Sequence, residues 1–294
     1  MRHILLIGND GQVGFELERT LAPLGRISTI CYPAIDFRSP DSIIRAVRNA
    51  KPDLIVNAAA YTAVDKAESD SAICEKLNAD APAILAEEAN RLRAGLVHYS
   101  TDFVFDGGGK VPYTEEDTPS PLGVYGQTKL AGDLAVQKSG VPHLIFRLAW
   151  IYGMRGKNFL LTIRRLADGG KPIRIVDDQV GCPTWCRIVA EATAAALTKT
   201  LDRHGKFNLA EVSGIYNCVC SGQTSWCGFA RAFITSGLPV LPITTADYPT
   251  PARRPAYSVL SCAKLQKVFG ITLPSWETAL RDCLASERSG SCLS

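Results

Sequence analysis

Tyr125 and Lys129 stand four residues apart in Tyr125-Gly126-Gln127-Thr128-Lys129, the separation that puts two side chains on one face of a helix. A phenol beside an ammonium is a proton-transfer pair. The positive charge favours the phenolate and brings the tyrosine toward a range useful for protonating a carbonyl oxygen. Thr101 closes an upstream apolar run that reads as a strand, so its hydroxyl is expected at a sheet edge, able to donate to the same oxygen. A second constellation, Gly8-Asn9-Asp10-Gly11-Gln12-Val13-Gly14, joins the first apolar run to the first helical period. Its glycines permit a tight turn and close backbone approach, and the helix N-terminus offers amides to a pyrophosphate. The spacing is G-x-x-G-x-x-G, not G-x-G-x-x-G, and Gly14 suits helix packing equally well. Either motif alone is a weak signal, since Tyr-x-x-x-Lys also occurs on solvated faces and glycine turns also serve sterics. The ordered set is far more specific.

Positioning these groups requires a parallel sheet. Short apolar runs over 4–7, 27–31, 54–57, 96–100 and 143–147 alternate with helical periods over 13–24, 41–50, 82–93 and 123–138. Ser39-Pro40-Asp41 is a helix-start signature. Right-handed crossovers then predict an α/β fold, a Rossmann-like doubly wound parallel sheet with a smaller mixed α/β substrate domain. The expected division is 1–150 for nucleotide binding and 151–294 mainly for substrate, with segments near 205–215, such as a strand over 207–209, able to return to the first sheet. Later helices are expected over 159–168, 188–199, 226–235, 263–269 and 276–287. Pro239, Pro242, Pro249, Pro251 and Pro255 make one stretch extended and rigid, a wall or lid. Two loops add candidate contacts. Asn57-Ala58-Ala59-Ala60-Tyr61-Thr62 has small residues that admit a flat ligand, although tight packing explains them as readily. Asp36-Phe37 follows the second strand, where it can hold an adenine or form a free surface loop.

The 294 residues are 46% hydrophobic and 21% charged, enough apolar material for a large core and too much for a disordered chain. A net charge of +3 gives no nucleic-acid footprint. The first apolar run is too short for a secretory segment, no run approaches a membrane span, and the terminal Ser291-Cys292-Leu293-Ser294 lacks a prenylation box. These features predict a cytoplasmic protein with a small-molecule partner, no nucleic acid and no membrane. The ten cysteines lack paired zinc spacing and are expected to be reduced, small and buried.

The strings GQVGFEL, PDLIVNAAAYTAVDKAE, HYSTDFVFDG, PLGVYGQTKLAG, HLIFRLAWIYG, DDQVGCPT and YPTPARRPAYS run over nearly the whole chain. On them the sequence resembles the extended short-chain dehydrogenase/reductases and, within these, the dTDP-4-dehydrorhamnose reductase family. The resemblance implies an enzyme that uses NADPH or NADH to reduce the C4 ketone of a dTDP-4-keto-6-deoxy sugar, giving dTDP-L-rhamnose. Tyr125 would be the proton donor, Lys129 would hold the nicotinamide ribose and tune Tyr125, and Thr101 would bind the reacting oxygen. Gly8, Gly11, Gln12 and Val13 would meet the pyrophosphate, Asp36 and Phe37 the adenine, and Ala60, Tyr61 and Thr62 the cofactor after the third strand. Thr101, Asp102, Trp150 and Arg254 would contact the substrate, with Arg253 beside Arg254 in the same arginine pair.

Two departures from the family pattern stand out. Cys31 occupies the place where an acidic residue often binds the adenosine ribose, which relieves repulsion of a 2′-phosphate. Some members hold magnesium with glutamates at a dimer interface; Glu16 matches one, but Arg187 stands where another would be, so magnesium and a metal-bridged dimer are not expected. A monomer or a homodimer fits equally. Two alternatives carry the same motifs: a nucleotide-sugar dehydratase or epimerase with tightly held NAD, and a non-catalytic regulatory subunit resembling that of methionine adenosyltransferase. Phe103 after Thr101-Asp102, where dehydratases carry an acid, disfavours dehydration.

Overall fold

The computed structural model of the protein describes residues 1–290; the four terminal residues, for which the sequence predicts no prenylation box, lie outside them. The chain runs through β1 His3–Ile7, α1 Gln12–Leu21, β2 Arg26–Ile30, α2 Pro40–Ala50, β3 Leu54–Asn57, α3 Val64–Ala67, α4 Ser71–Glu75, α5 Ala81–Leu92, β4 Gly95–Thr101, α6 Val124–Lys138 and β5 His143–Leu148. Among the described residues these strands and one later strand form a parallel sheet in the order β2-β1-β3-β4-β5 and then Gly214–Asn217. Strands β1, β3, β4 and β5 are buried throughout, because helices cover both faces, and their sequences therefore read as unbroken apolar runs. The chain winds outward from β1 to β2 and then returns to β3 on the other side. That reversal opens a crevice between the C-terminal ends of β1 and β3, where ligands of doubly wound sheets bind.

Two cores flank the sheet. Ile43 and Val47 of α2, Leu85, Ala86 and Ala89 of α5, and Val136 of α6 pack on one face. Helix α2 starts as its sequence predicts, with Pro40 in the first turn and the Ser39 hydroxyl accepting from Ser42 N. On the other face, Leu17 and Leu21 of α1 pack beside a helix from the second half of the chain. That half continues β6 Ile151–Tyr152, α7 Phe159–Ala167, β7 Ile173–Val176, β8 Val180–Gly181, β9 Thr184–Trp185, α8 Cys186–Lys199, β10 Gly214–Asn217, β11 Thr224–Ser225, α9 Trp226–Phe233, β12 Val240–Ile243, α10 Ala263–Phe269 and α11 Trp276–Gly290. Val189, Ala196 and Leu197 of α8 and Leu265 of α10 join the sheet core, whereas Leu160 of α7, Phe229 of α9 and Leu280 of α11 build a separate apolar cluster.

The strand that returns to the sheet is β10, paired with β5. The strand expected over 207–209 does not form: Phe207 makes only an antiparallel bridge to Leu201 and packs against the core from a loop. The proline stretch is extended as expected, with Val240–Ile243 paired in parallel with β7. The sequence assigns no element to 64–80. There α3 and α4 form, followed by a π-helical turn over Lys76–Asp80. Among the described residues no helix is long and apolar enough to cross a membrane. The nine described cysteines are free thiols, seven of them buried.

Helix α1 reaches the sheet only because residue 14 lacks a side chain. A Cβ there would stand 2.0 Å from the carbonyl oxygen of Gly8, which is backbone and has nowhere to go. Gly14→Ala is therefore expected to destabilise the fold by about 3 kcal/mol or more, read as the shift in the denaturant midpoint at unchanged slope. An unshifted midpoint would show that the helix seats on the turn in some other way.

Candidate active site

The crevice is a cavity of about 1070 Å³ that runs from the β1–α1 turn past the ends of β3, β4 and β5. That exceeds the upper end of the range typical of a single drug-sized ligand, roughly 1000 Å³. Gly8, Gly11, Gln12, Val13, Asp36, Phe37, Ala60, Tyr61, Thr62, Thr101, Asp102, Tyr125, Lys129, Trp150 and Arg254 all line it, as does Cys31. Residues spread over the chain thus meet along one wall. Arg253 does not line it and is exposed.

At the N-terminal end, Gly8 has φ +84°, and a Cβ on it would stand 2.8 Å from Ala59 N, so β1 and β3 can close on each other only with glycine here. Gly11 differs. A Cβ there would make only an ordinary 3.4 Å contact with Gly8 O, so the protein itself leaves room that a ligand can use. Gly11 caps α1 without any side-chain bond, and no acidic residue stands in the first turn, which leaves the helix amides to an anion. These features fit a dinucleotide. Gln12 is fixed by Asn158, which donates to its Oε1 at 2.8 Å while its own Oδ1 caps α7.

Around the wall formed by Asp36 and Phe37 the structure adds a partner that sequence reasoning missed. Arg38 grips Asp36 with Nε and Nη2 at 2.9 and 2.7 Å, lies over the Tyr32 ring, and holds the Asp36 carboxyl below its usual range. Phe37 offers little free edge, being 9% exposed and packed into the core beneath the crevice. The Ala60–Thr62 loop is anchored by Asn78 of the π-helical turn, which accepts from Tyr61 N at 2.9 Å and donates to Tyr61 O at 3.1 Å. Tyr61 itself donates to Asp70.

At the sheet edge, Thr101 is the last residue of β4 and Tyr125 lies in the first turn of α6, and both line the crevice. The lysine does not behave as its spacing predicts. Its Nζ donates to Tyr99 O at 2.6 Å and lies 3.2 Å from His98 Nε2, and the Tyr125 phenol is held above its ordinary value by burial, which outweighs the lowering by the nearby Thr101 hydroxyl. Tyr125 thus rests as a phenol, ready to donate. Burial also brings Lys129 down to about 8. The Phe103 ring meets Tyr125 edge-on at 5.6 Å, so an aromatic ring and no carboxylate flanks the phenol at this position.

Asp102 is buried, with Oδ1 accepting from Thr101 at 3.2 Å and Oδ2 without a partner, and burial pushes its carboxyl up to about 6. Trp150 holds φ +45°, rare for a bulky residue, and its indole lies between Gly181 and Trp226. The two indole centroids are 3.5 Å apart at 3°. A Cβ on Gly181 would stand 2.4 Å from the Trp150 ring, so the sandwich depends on that glycine. Trp226, Phe159 and Lys157 also line this end and were not anticipated; an aromatic at the start of a short apolar helix reads as core in sequence. Arg254 presents its fork to Asp65, Nη1 to Oδ1 at 3.0 Å and Nη2 to Oδ2 at 2.8 Å, which leaves Nε free of that pair.

The residues present do not fit magnesium. Both Glu16 oxygens are taken by Arg187, at 3.0 and 3.3 Å, with Arg19 adding a further contact at 3.3 Å, and no group of three or more acidic, His or Cys side chains that could hold a metal occurs among the described residues. The buried thiols are inert as well, since burial pushes Cys182, Cys186, Cys220 and Cys283 up to about 12.

Because Asp102 binds its proton more tightly folded than unfolded, its charge opposes folding above its folded value. Its penalty grows as pH rises from about 4 to about 6 and is then complete. Asp102→Asn is expected to melt higher than the wild type at pH 8, by up to about 3 kcal/mol in stability, with the difference closing near pH 4. A pH-independent difference would place the effect in packing instead.

Residues 1–289 match the family described as RmlD substrate binding domain. The dTDP-4-dehydrorhamnose reductase of Burkholderia thailandensis is 46% identical to this chain, over 96% of it and 97% of that protein. Among solved structures, the dTDP-4-dehydrorhamnose reductase of Clostridium acetobutylicum superposes with a TM-score of 0.90 at 33% identity, covering 97% of this chain and 99% of that one. The enzyme of the same name from Bacillus anthracis, solved in complex with NADP, gives 0.86 at 30% identity over 97% and 100%. With its crevice, its Thr101–Tyr125–Lys129 group and these likenesses over almost its full length, the chain belongs to the dTDP-4-dehydrorhamnose reductase family.

Proposed function

We propose that this protein is an NAD(P)H-dependent reductase that converts the C4 ketone of dTDP-4-dehydro-6-deoxy-L-mannose to the alcohol of dTDP-L-rhamnose. The observation that carries the reading is the protonated Tyr125 phenol beside Thr101, at the edge of a crevice of about 1070 Å³, in a chain of this family. NAD(P)H, when bound, supplies the hydride. The chain's residues do the rest. Gly8, Gly11, Gln12 and Val13 place the pyrophosphate at the start of α1, while the Asp36–Arg38 pair, Phe37 and Cys31 form the adenosine end. Ala60, Tyr61 and Thr62, held by Asn78, form the wall past β3.

Thr101 and Tyr125 direct their hydroxyls at the ketone oxygen. As charge develops there, Tyr125 gives up its proton and Thr101 stabilises the oxygen; burial keeps the phenol protonated at rest, so the proton is in place when the alkoxide forms. Lys129, fixed by Tyr99 O, supports the nicotinamide ribose and offsets the negative charge left on Tyr125. Asp102 contacts the sugar, Trp150 forms the apolar floor, and Arg254 binds the diphosphate through the donors that Asp65 leaves free. Residues 1–150 hold the cofactor and, through Thr101, Asp102 and Trp150, much of the sugar, while 151–294 add the Arg254 contact to the diphosphate.

The decisive experiment supplies enzymatically made dTDP-4-keto sugar with NADPH or NADH, follows oxidation of the nicotinamide, and identifies the product as dTDP-L-rhamnose. No oxidation with either cofactor would refute the reading. Tyr125→Phe is expected to lower kcat by roughly 10²–10⁴-fold while leaving cofactor affinity nearly unchanged; turnover close to that of the wild type would remove Tyr125 from the proton-donor role. Arg254→Ala is expected to raise KM for the dTDP-sugar about tenfold or more with little change in NADPH binding. Equal loss of both affinities would point to a structural part played with Asp65.

A further inference from the structure

Behind Lys129, on the side away from the crevice, lies a buried chain of polar groups that the mechanism above does not use. Asn57 ends β3, His98 lies in β4, and Asp133 stands one turn beyond Lys129 on α6; each is 1% exposed or less. The orientation of the Asn57 amide follows from its neighbours. Its Oδ1 accepts from Ala59 N at 3.2 Å, so its Nδ2 faces His98 Nδ1 at 3.1 Å and donates to it. His98 is neutral, since burial, Lys129 and His143 hold it well below its usual range. A neutral imidazole that accepts at Nδ1 carries its proton on Nε2. That proton faces two atoms: Lys129 Nζ at 3.2 Å and Asp133 Oδ1 at 3.8 Å. Asp133 Oδ1 has no other partner, while Oδ2 accepts from Ser100.

Asp133, one turn along α6, and His98 therefore act on Lys129 in opposite directions, Asp133 through space and not by an ion pair, with burial raising its carboxyl and the Lys129 charge opposing that rise. A carboxylate stabilises the ammonium. An N–H pointed at the nitrogen stabilises the amine, which alone has a lone pair to accept it.

Resting on the reductase reading, we propose that Asp133 and His98 are positioning residues for Lys129: the carboxylate keeps its ammonium charged at rest, and the Nε2 proton of His98, directed there by Asn57, stabilises the amine once Lys129 has released a proton. The step balances simply. The proton leaves Lys129 Nζ and restores the phenol of Tyr125 after that group has protonated the substrate; the Nζ lone pair then accepts the His98 N–H, and one proton from solvent regenerates the ammonium. The other charged or titratable groups around this cluster are Tyr125 on α6, Cys74 on α4, Arg147 and His143 on β5, and Asp102 after β4. Of these, Arg147 acts on Asp133, His143 on His98, and Cys74 on Lys129.

The test is the pH profile of kcat for the full-length enzyme with NADPH and the dTDP-4-keto sugar. Asp133→Asn is expected to move the alkaline limb down by about one pH unit and Asp133→Glu to return much of it, whereas His98→Leu moves the limb up. Limbs that stay in place while kcat falls, or that move in the same direction in Asp133→Asn and His98→Leu, overturn the proposal. The same variants are read without turnover: with ¹⁵N-labelled lysine, the Nζ resonance lost in Lys129→Met is expected to titrate lower in Asp133→Asn and higher in His98→Leu than in the wild type, and Asn57→Leu, which releases the His98 tautomer, is expected to raise it where His98→Leu does not fold. A titration that none of these substitutions moves overturns the proposal. If no dTDP-keto sugar is turned over, the reductase reading falls by itself, and the lysine titration still decides this one.

Discussion

Everything in the site hangs on how closely three pieces of backbone meet at the head of the sheet. The turn after β1 crosses beneath α1 and beside the start of the loop after β3, with space at Gly8 and Gly14 for hydrogen atoms alone. That contact sets the tilt of α1, and through α1 the seat of α8, which packs along it from the far half of the chain. The crevice is the remainder: what is left between the diverging ends of β1 and β3 once the helices are seated. A side chain at either glycine would not merely fill the binding site but move the helix whose amides face it.

A second constraint is the cost of burying charge. Lys129 and Asp133 are both removed from water, and neither state of such a pair is cheap. The protein surrounds them with groups of fixed polarity, a backbone carbonyl at Tyr99, a serine hydroxyl and an imidazole of determined tautomer, so that little reorganisation is needed when a proton moves. At the rim the same chemistry is handled differently. Asp36–Arg38 and Asp65–Arg254 are exposed enough for water to share the work, and there the pairs orient side chains more than they stabilise the fold.

The sheet was legible because strands covered on both faces must be apolar without interruption, and because helices such as α2 carry their own start signals. The glycine turn, Thr101, Tyr125 and Lys129 were legible because their chemistry depends on spacing within one element. Other features depend on distant partners. Asp65 and Arg254 are 189 residues apart, Gln12 and Asn158 146, and no local pattern marks either pair. The apolar residues at 207–209 point to a returning strand there, but it forms at Gly214–Asn217, where Tyr216 and Asn217 fill specific places between α10 and the 113–115 loop. The segment 64–80 escaped because its helices are short and broken by a π turn, whose purpose is to aim Asn78 at Tyr61. The Tyr125–Lys129 spacing puts both groups on one face, yet only the fold reveals that the ammonium donates to Tyr99 O and lies beside the His98 imidazole.

The indoles of Trp150 and Trp226 reach the crevice from separate parts of the chain, one from the loop after β5 and the other from the start of α9. Lying face to face at 3.5 Å, they share their electronic transitions. Any ligand that parts or tilts them changes that coupling, so the protein carries a built-in optical signal of occupancy, readable in its near-ultraviolet circular dichroism without an added label.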